Sequence, residues 1–129
     1  SLPLICSSVK LYSTFPNAFS TFLICFTIFA NSSIEEVAKT GKPIIISTGI
    51  AYLEDIDLAV RTCNKAGNKN IILLKCVSAY PTPYEQMNLR MLSSMAKTFG
   101  CFVGLSDHTL GSQGAIASVE EFFCFRPAL

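Results

Sequence analysis

The sequence predicts an α/β fold on a parallel sheet, a partial (β/α)8 TIM barrel of about three to four strand-helix units. Three observations lead there. Pro43-Ile44-Ile45-Ile46-Ser47 and Asn70-Ile71-Ile72-Leu73-Leu74-Lys75-Cys76 are nearly unbroken apolar runs of the kind found in strands buried on both faces. Strand centres near Ile45, Leu73 and Val103 recur at the length of one strand-helix unit. No glycine-rich dinucleotide motif follows any strand, which favours a barrel over a doubly wound sheet. A whole barrel takes about 250 residues, so 129 residues hold only part of one.

The elements follow in order. Ser33-x-x-Glu36 is a capping-box pattern that opens a short helix, Ile34–Lys39, and Gly41 can end it with a positive φ. After the first strand and Thr48-Gly49, the stretch Leu53–Ala66 places apolar residues at 53, 56, 59, 60 and 63, with Glu54, Asp55, Asp57 and Arg61 between them. That is an amphipathic helix closed by Gly67, with acidic residues early and Arg61 and Lys65 late, as the helix dipole favours. The second strand follows, then a helix over Leu89–Phe99 ending at Gly100, then a strand at Phe102-Val103-Gly104-Leu105.

Composition narrows the function. Ten Lys and Arg against nine Asp and Glu leave a net charge of +1, which gives no electrostatic footprint for nucleic acid or an anionic membrane. The longest membrane-like stretch, Phe19 to Ala30, is shorter than the ~20 residues a spanning helix needs. Six cysteines contain no C-x-x-C pair and no zinc-ligand spacing, so they are expected to be reduced, buried small hydrophobes of a cytoplasmic protein.

Three segments differ in composition. Residues 1–32 are rich in Phe and Ser, and Lys10 is their only charge. Residues 120–129 add Phe122, Phe123 and Phe125, while residues 33–119 carry fifteen of the nineteen charges and the ordinary punctuation of a globular domain. The expectation is a barrel segment at 33–119 flanked by atypical sequence out of frame with it. The first segment has no clean period and is left unassigned, although its Thr, Phe and Ile favour strands.

In parallel α/β folds ligands sit at the carboxyl ends of the strands, and those ends are polar here. The first strand delivers Ser47-Thr48-Gly49; the second delivers Lys75, Ser78 and Tyr80; the third delivers Ser106-Asp107-His108-Thr109. Hydroxyls and a lysine on one face suit an anionic, oxygen-rich ligand. His108, the only histidine, suits a divalent metal or a proton transfer, with Asp107 or another group to orient it. Plainer readings stand beside these. Ser47-Thr48-Gly49 also fits a strand-to-helix turn with an N-cap hydroxyl, Lys75 a snorkelling side chain, and Tyr80-Pro81-Thr82-Pro83 a stiff extended loop.

Three motifs together resemble the sialic acid synthase family. They are Gly41-Lys42-Pro43-Ile44-Ile45-Ile46-Ser47-Thr48-Gly49, Leu73-Leu74-Lys75-Cys76-Val77-Ser78-Ala79-Tyr80-Pro81-Thr82-Pro83-Tyr84-Glu85 and Gly104-Leu105-Ser106-Asp107-His108-Thr109. Lys75, Ser78 and Asn88-Leu89 look like its pseudaminic acid synthase branch, with N-acetylneuraminate or legionaminate synthases as the alternative. The resemblance implies a (β/α)8 barrel that condenses phosphoenolpyruvate with an acylated amino sugar, using Mn2+, Mg2+ or Co2+ and working as a homodimer. It further implies that Ser47 and Ser106 hold phosphoenolpyruvate, Ser78 and Tyr80 meet the sugar, and His108 binds the metal. Lys75 is its neighbour in the catalytic set, with an identity that tracks substrate choice.

The departures fall at the compositional seams. The family supplies a second metal histidine from a Glu-Lys-His-Phe strand, where this chain reads Glu120 to Leu129 without a histidine. A strand carrying a Lys and a Ser for phosphoenolpyruvate is replaced by Phe29-Ala30-Asn31-Ser32. With a first residue other than Met, these features lead to the expectation of a truncated or frame-disrupted fragment without useful turnover. The alternative from another class is a small membrane-associated or interaction protein anchored by its Phe-rich start.

Overall fold

The computed structural model describes residues 22–24 and 31–124. The element order is β1 (Phe22–Ile24), α1 (Asn31–Ala38), β2 (Ile44–Ser47), α2 (Leu53–Lys65), β3 (Ile71–Cys76), a 3-10 turn (Tyr84–Gln86), α3 (Met91–Phe99), β4 (Phe102–Ser106) and α4 (Gln113–Cys124). The four strands form one parallel sheet in the order β1-β2-β3-β4. A doubly wound sheet reverses its strand order at a switch point. No reversal occurs here, so the sheet is wound in one direction, as barrel segments are.

Register and alternation assign the faces. Ile46, Leu73 and Val103 stand side by side, and with Ile44 and Ile71 they make the outer face against the helices. Ile34 and Ala38 of α1, Ile56, Ala59, Val60 and Cys63 of α2, and Met95 of α3 complete that core. Ile45, Ser47, Ile72, Leu74, Cys76, Gly104 and Ser106 occupy the alternate positions and form the inner face. The strands were expected to be buried on both faces. Ile45, Ile72 and Leu74 are instead half-buried, because four strands do not close over their own inner face. β4 pairs only with β3 among the described residues, and Phe102 at its start is 77% exposed.

Glycine turns fall where the sequence puts them: Gly41, Gly67 and Gly100 all have positive φ at helix ends. The first helix starts earlier than expected, at Asn31, so Ser33 lies inside α1 rather than at its cap. The strand β1 and the helix α4 were not anticipated, and α4 runs unbroken through the seam at 119–121. The Phe-rich membrane-like stretch lies outside the described residues except for β1. Among the described residues no helix is long and apolar enough to cross a membrane.

One buried side chain ties the amino-terminal end of the sheet together. Asn68, 3% exposed, donates from Nδ2 to the carbonyls of Ala38 (3.2 Å) and Lys42 (2.8 Å), and its Oδ1 accepts from the Asn70 amide at 3.0 Å. It fixes the exit of α1 and the entry to β2 from the loop before β3.

Candidate functional site

The polar residues at the carboxyl ends of β2, β3 and β4 gather on the inner side of the sheet. Ser47 ends β2, and its neighbour Thr48 turns inward: the Thr48 amide and hydroxyl both donate to the Leu74 carbonyl at 3.0 Å. The hydroxyl therefore holds β2 to β3 and does not cap α2. That cap is made at Tyr52, whose amide donates to the Asp55 carboxylate at 2.9 Å. Gly49 is required by what lies over it: a Cβ there would stand 2.6 Å from Ser78 Oγ and 3.3 Å from Cys76 Sγ.

Cys76 and Ser106 are register partners on β3 and β4, and His108 lies two residues beyond β4. The imidazole reaches back over both strand ends. Its Nδ1 lies 3.1 Å from the Val77 carbonyl and 3.8 Å from Cys76 Sγ, and its Nε2 lies 3.4 Å from Ser106 Oγ. A carbonyl can only accept, so Nδ1 carries the proton and donates to Val77. Nε2 is then left with its lone pair directed to the side of Ser106, in the form that ligates a metal or accepts a proton. Asp107, a candidate to orient this ring, does something else: its Oδ1 accepts from the Thr109 amide at 2.9 Å. The Val77 main chain orients the histidine instead.

Tyr80 completes the group, its ring stacked on His108 with centroids 4.3 Å apart and planes 29° apart. The loop that carries it is pinned at several points. The Thr82 amide donates to the His108 carbonyl at 2.8 Å, Thr82 Oγ1 donates to the Ala79 carbonyl at 2.9 Å, and Tyr84 Oη bridges the Leu110 carbonyl and Gln113 Oε1. The Pro-rich stretch is thus a built wall of the site rather than a free extended loop.

Lys75 meets the group from the other side of β3. Alternation from Ile71 and Leu73 puts it on the outer face beside Leu105, where it is buried and Nζ donates to the Cys76 carbonyl at 3.0 Å. Burial pushes its ammonium below the ordinary lysine range. It nonetheless lines a small cleft together with Cys76, Thr82, Ser106, Asp107 and His108 beneath the Pro loop. Among the sequence candidates, then, Ser106, Tyr80 and His108 meet, Ser78 lies over Gly49, Ser47 shares the inner face, and Lys75 lines a cleft with Ser106 and His108.

Two participants were invisible to sequence reasoning. Cys76 looks like any buried cysteine until strand parity pairs it with Ser106, and the Val77 acceptor is a main-chain atom. Cys63, Cys76 and Cys101 are free thiols, as expected; Cys6, Cys25 and the side chain of Cys124 lie outside the described residues. Among the described residues no three His, Cys, Asp or Glu side chains gather as a metal cage.

Comparisons with known proteins meet the same region. The sequence model of the NeuB family matches residues 24–121. An uncharacterised protein of Methanocaldococcus jannaschii is 48% identical over 86 residues, covering 67% of this chain and 26% of that protein. Pseudaminic acid synthase of Helicobacter pylori is 46% identical over 87 residues, with coverage of 67% and 26%. Among solved structures, the spore coat polysaccharide biosynthesis protein SpsE of Bacillus subtilis superposes with a TM-score of 0.74 at 32% identity, covering 77% of this chain and 28% of that one. The chain thus spans about a quarter of the length of these curated relatives.

Proposed function

We propose that this chain, which belongs to the NeuB family, carries the strand-end segment of a pseudaminic acid synthase-like enzyme that joins phosphoenolpyruvate to an acylated amino sugar. In that reaction the enol carbon of phosphoenolpyruvate bonds to the aldehyde carbon of the open-chain sugar. Water then adds to the cationic carbon left behind, and phosphate departs. The single observation that supports this reading is His108, held as the Nδ1-H tautomer by the Val77 carbonyl with Nε2 presented beside Ser106 at the carboxyl ends of parallel strands.

The chain's own residues divide the work. Ser106 and Ser47 offer hydroxyl donors to the carboxylate and phosphate oxygens of phosphoenolpyruvate. Ser78 and Tyr80, on the next strand end and its loop, face the sugar. A divalent cation (Mn2+, Mg2+ or Co2+) would polarise the sugar aldehyde when bound. His108 fits it as one donor, and the remaining donors would come from outside the described residues, which hold no cage of three. With one histidine in all 129 residues, the chain by itself is proposed to lack turnover. Lys75, which lines a small cleft with Ser106 and His108, is the charged neighbour of the site.

The test is a transplant. Residues 33–119 replace the matching segment of the Helicobacter pylori enzyme, and phosphate release from phosphoenolpyruvate is followed with an acylated amino sugar and Mn2+. The expected result is a folded, active chimera whose His108→Ala variant loses at least about 100-fold in rate. A chimera that folds like its parent but neither releases phosphate nor binds phosphoenolpyruvate overturns the proposal. Turnover by the isolated chain would overturn the fragment reading.

A further inference from the structure

We propose that Tyr80 is a positioning residue for His108: its ring, stacked on the imidazole, holds that imidazole in the plane where Nδ1 meets the Val77 carbonyl and Nε2 faces Ser106. This rests on the reading of His108 as the site's metal or proton group, and it assigns Tyr80 a role apart from touching sugar through its hydroxyl.

The geometry requires some such restraint. An imidazole whose nitrogen contacts are both long can tilt about its χ2 bond and lose them, and each orientation favours a different tautomer. The bond at Nδ1 is 3.1 Å long, and the thiol of Cys76, 3.8 Å from the same nitrogen, competes for its direction. A ring packed against its face, with centroids 4.3 Å apart, limits the tilt of the imidazole out of the plane in which Nδ1 meets the Val77 carbonyl, and so favours the Nδ1-H form at equilibrium. Tyr80 itself is 75% exposed, so its ring is not held by burial. It is held by its loop, whose Thr82 amide bonds to the carbonyl of His108 itself at 2.8 Å. The two rings therefore share one main-chain frame, and movement of the strand end carries both.

The hydroxyl takes no part in this arrangement, which separates it from a sugar contact. Tyr80→Phe keeps the stack and loses the hydroxyl, whereas Tyr80→Leu loses the stack. Because His108 is the only histidine in the chain, its ring nitrogens can be read without ambiguity. In the 15N-labelled 129-residue chain at about pH 8, where an ordinary imidazole is neutral, a long-range proton-nitrogen correlation identifies the tautomer.

The wild-type chain and Tyr80→Phe are expected to show a protonated Nδ1 and ring protons displaced by the aromatic stack. In Tyr80→Leu the ratio of Nδ1-H to Nε2-H is expected to fall by about 2- to 10-fold, with the ring displacement lost. An unchanged ratio in Tyr80→Leu, or an equal loss in Tyr80→Phe, overturns the proposal. Mn2+ binding by the Helicobacter pylori chimera carrying residues 33–119 tests the underlying reading separately. A weakening of Mn2+ affinity by at least about 10-fold in its His108→Ala variant supports ligation; an unchanged affinity overturns His108 as a metal donor while the tautomer comparison still decides the role of Tyr80.

Discussion

Replacing Asn68 with Ala removes three hydrogen bonds from the end of the sheet opposite the candidate site. The two carbonyls of Ala38 and Lys42 lose a donor and the Asn70 amide loses its acceptor, at distances of 3.2, 2.8 and 3.0 Å. Each bond contributes about 1 kcal/mol net, and a buried partner left unsatisfied costs about 1–3 kcal/mol. Lys42 is exposed enough for water to take up its carbonyl, so the expected loss is about 2–3 kcal/mol rather than the upper sum. Urea unfolding followed by far-UV circular dichroism reads this directly. With a slope of about 1–3 kcal/mol per molar, the midpoint is expected to fall by about 0.7–3 M. Lys39→Ala is the control, since it breaks only the exposed pairs with Glu35 and Glu36. A midpoint for Asn68→Ala that matches the control would refute the reasoning, because the buried amide would then be spectating.

Three further outcomes follow from distances and burial elsewhere. Gly49→Ala pushes Ser78 aside and is expected to cost about 1–3 kcal/mol; Ser78→Ala removes the 2.6 Å conflict and should recover much of it, so equal costs in both backgrounds would contradict the geometry. Lys75→Met is expected to raise the unfolding midpoint at neutral pH. The folded chain gives up the Lys75 proton below 10.5 while the unfolded chain keeps it to 10.5, so the native penalty is full at low pH and fades as pH rises through that window; the advantage of Met should shrink with it. Cys63 has no exposure and burial pushes its thiol up to about 11, so in native alkylation followed by mass spectrometry it should react more slowly than the half-exposed Cys101.

Much of the fold was legible because its strands are apolar runs and its helices end in glycines. Ile44 to Ile46 and Ile71 to Leu74 announce a parallel sheet by composition alone, and Gly67 and Gly100 end their helices with the backbone that only glycine adopts freely. What escaped notice lacked such marks. Helix α4 begins Gln113-Gly114-Ala115-Ile116, with a glycine in its first turn and no acidic cap, so it reads as loop. Gly114 is there because a Cβ would meet Met87, Asp107 and Thr109 within 3.0 Å, a packing reason that no local pattern reveals. In the site, His108 and Ser106 were legible from their place after a strand. The face of Lys75 was legible too, since counting by twos from Ile71 puts it on the outer side of β3; that it also lines a cleft with Ser106 and His108 only the fold reveals.

The acceptor that sets the state of His108 belongs to no side chain. Any residue at position 77 brings the same carbonyl oxygen, provided β3 ends where it does, so the side chain chosen there does not itself supply the acceptor. A mutational scan at position 77 reads the packing of its side chain and misses the contribution of its carbonyl. The opposite change, a one-residue slip of β3 against β4, would alter no amino acid near the histidine and yet take the oxygen away. In this protein the proton on the imidazole is written into strand register, and an ester substituted for a main-chain amide would reveal more about it than any of the twenty amino acids.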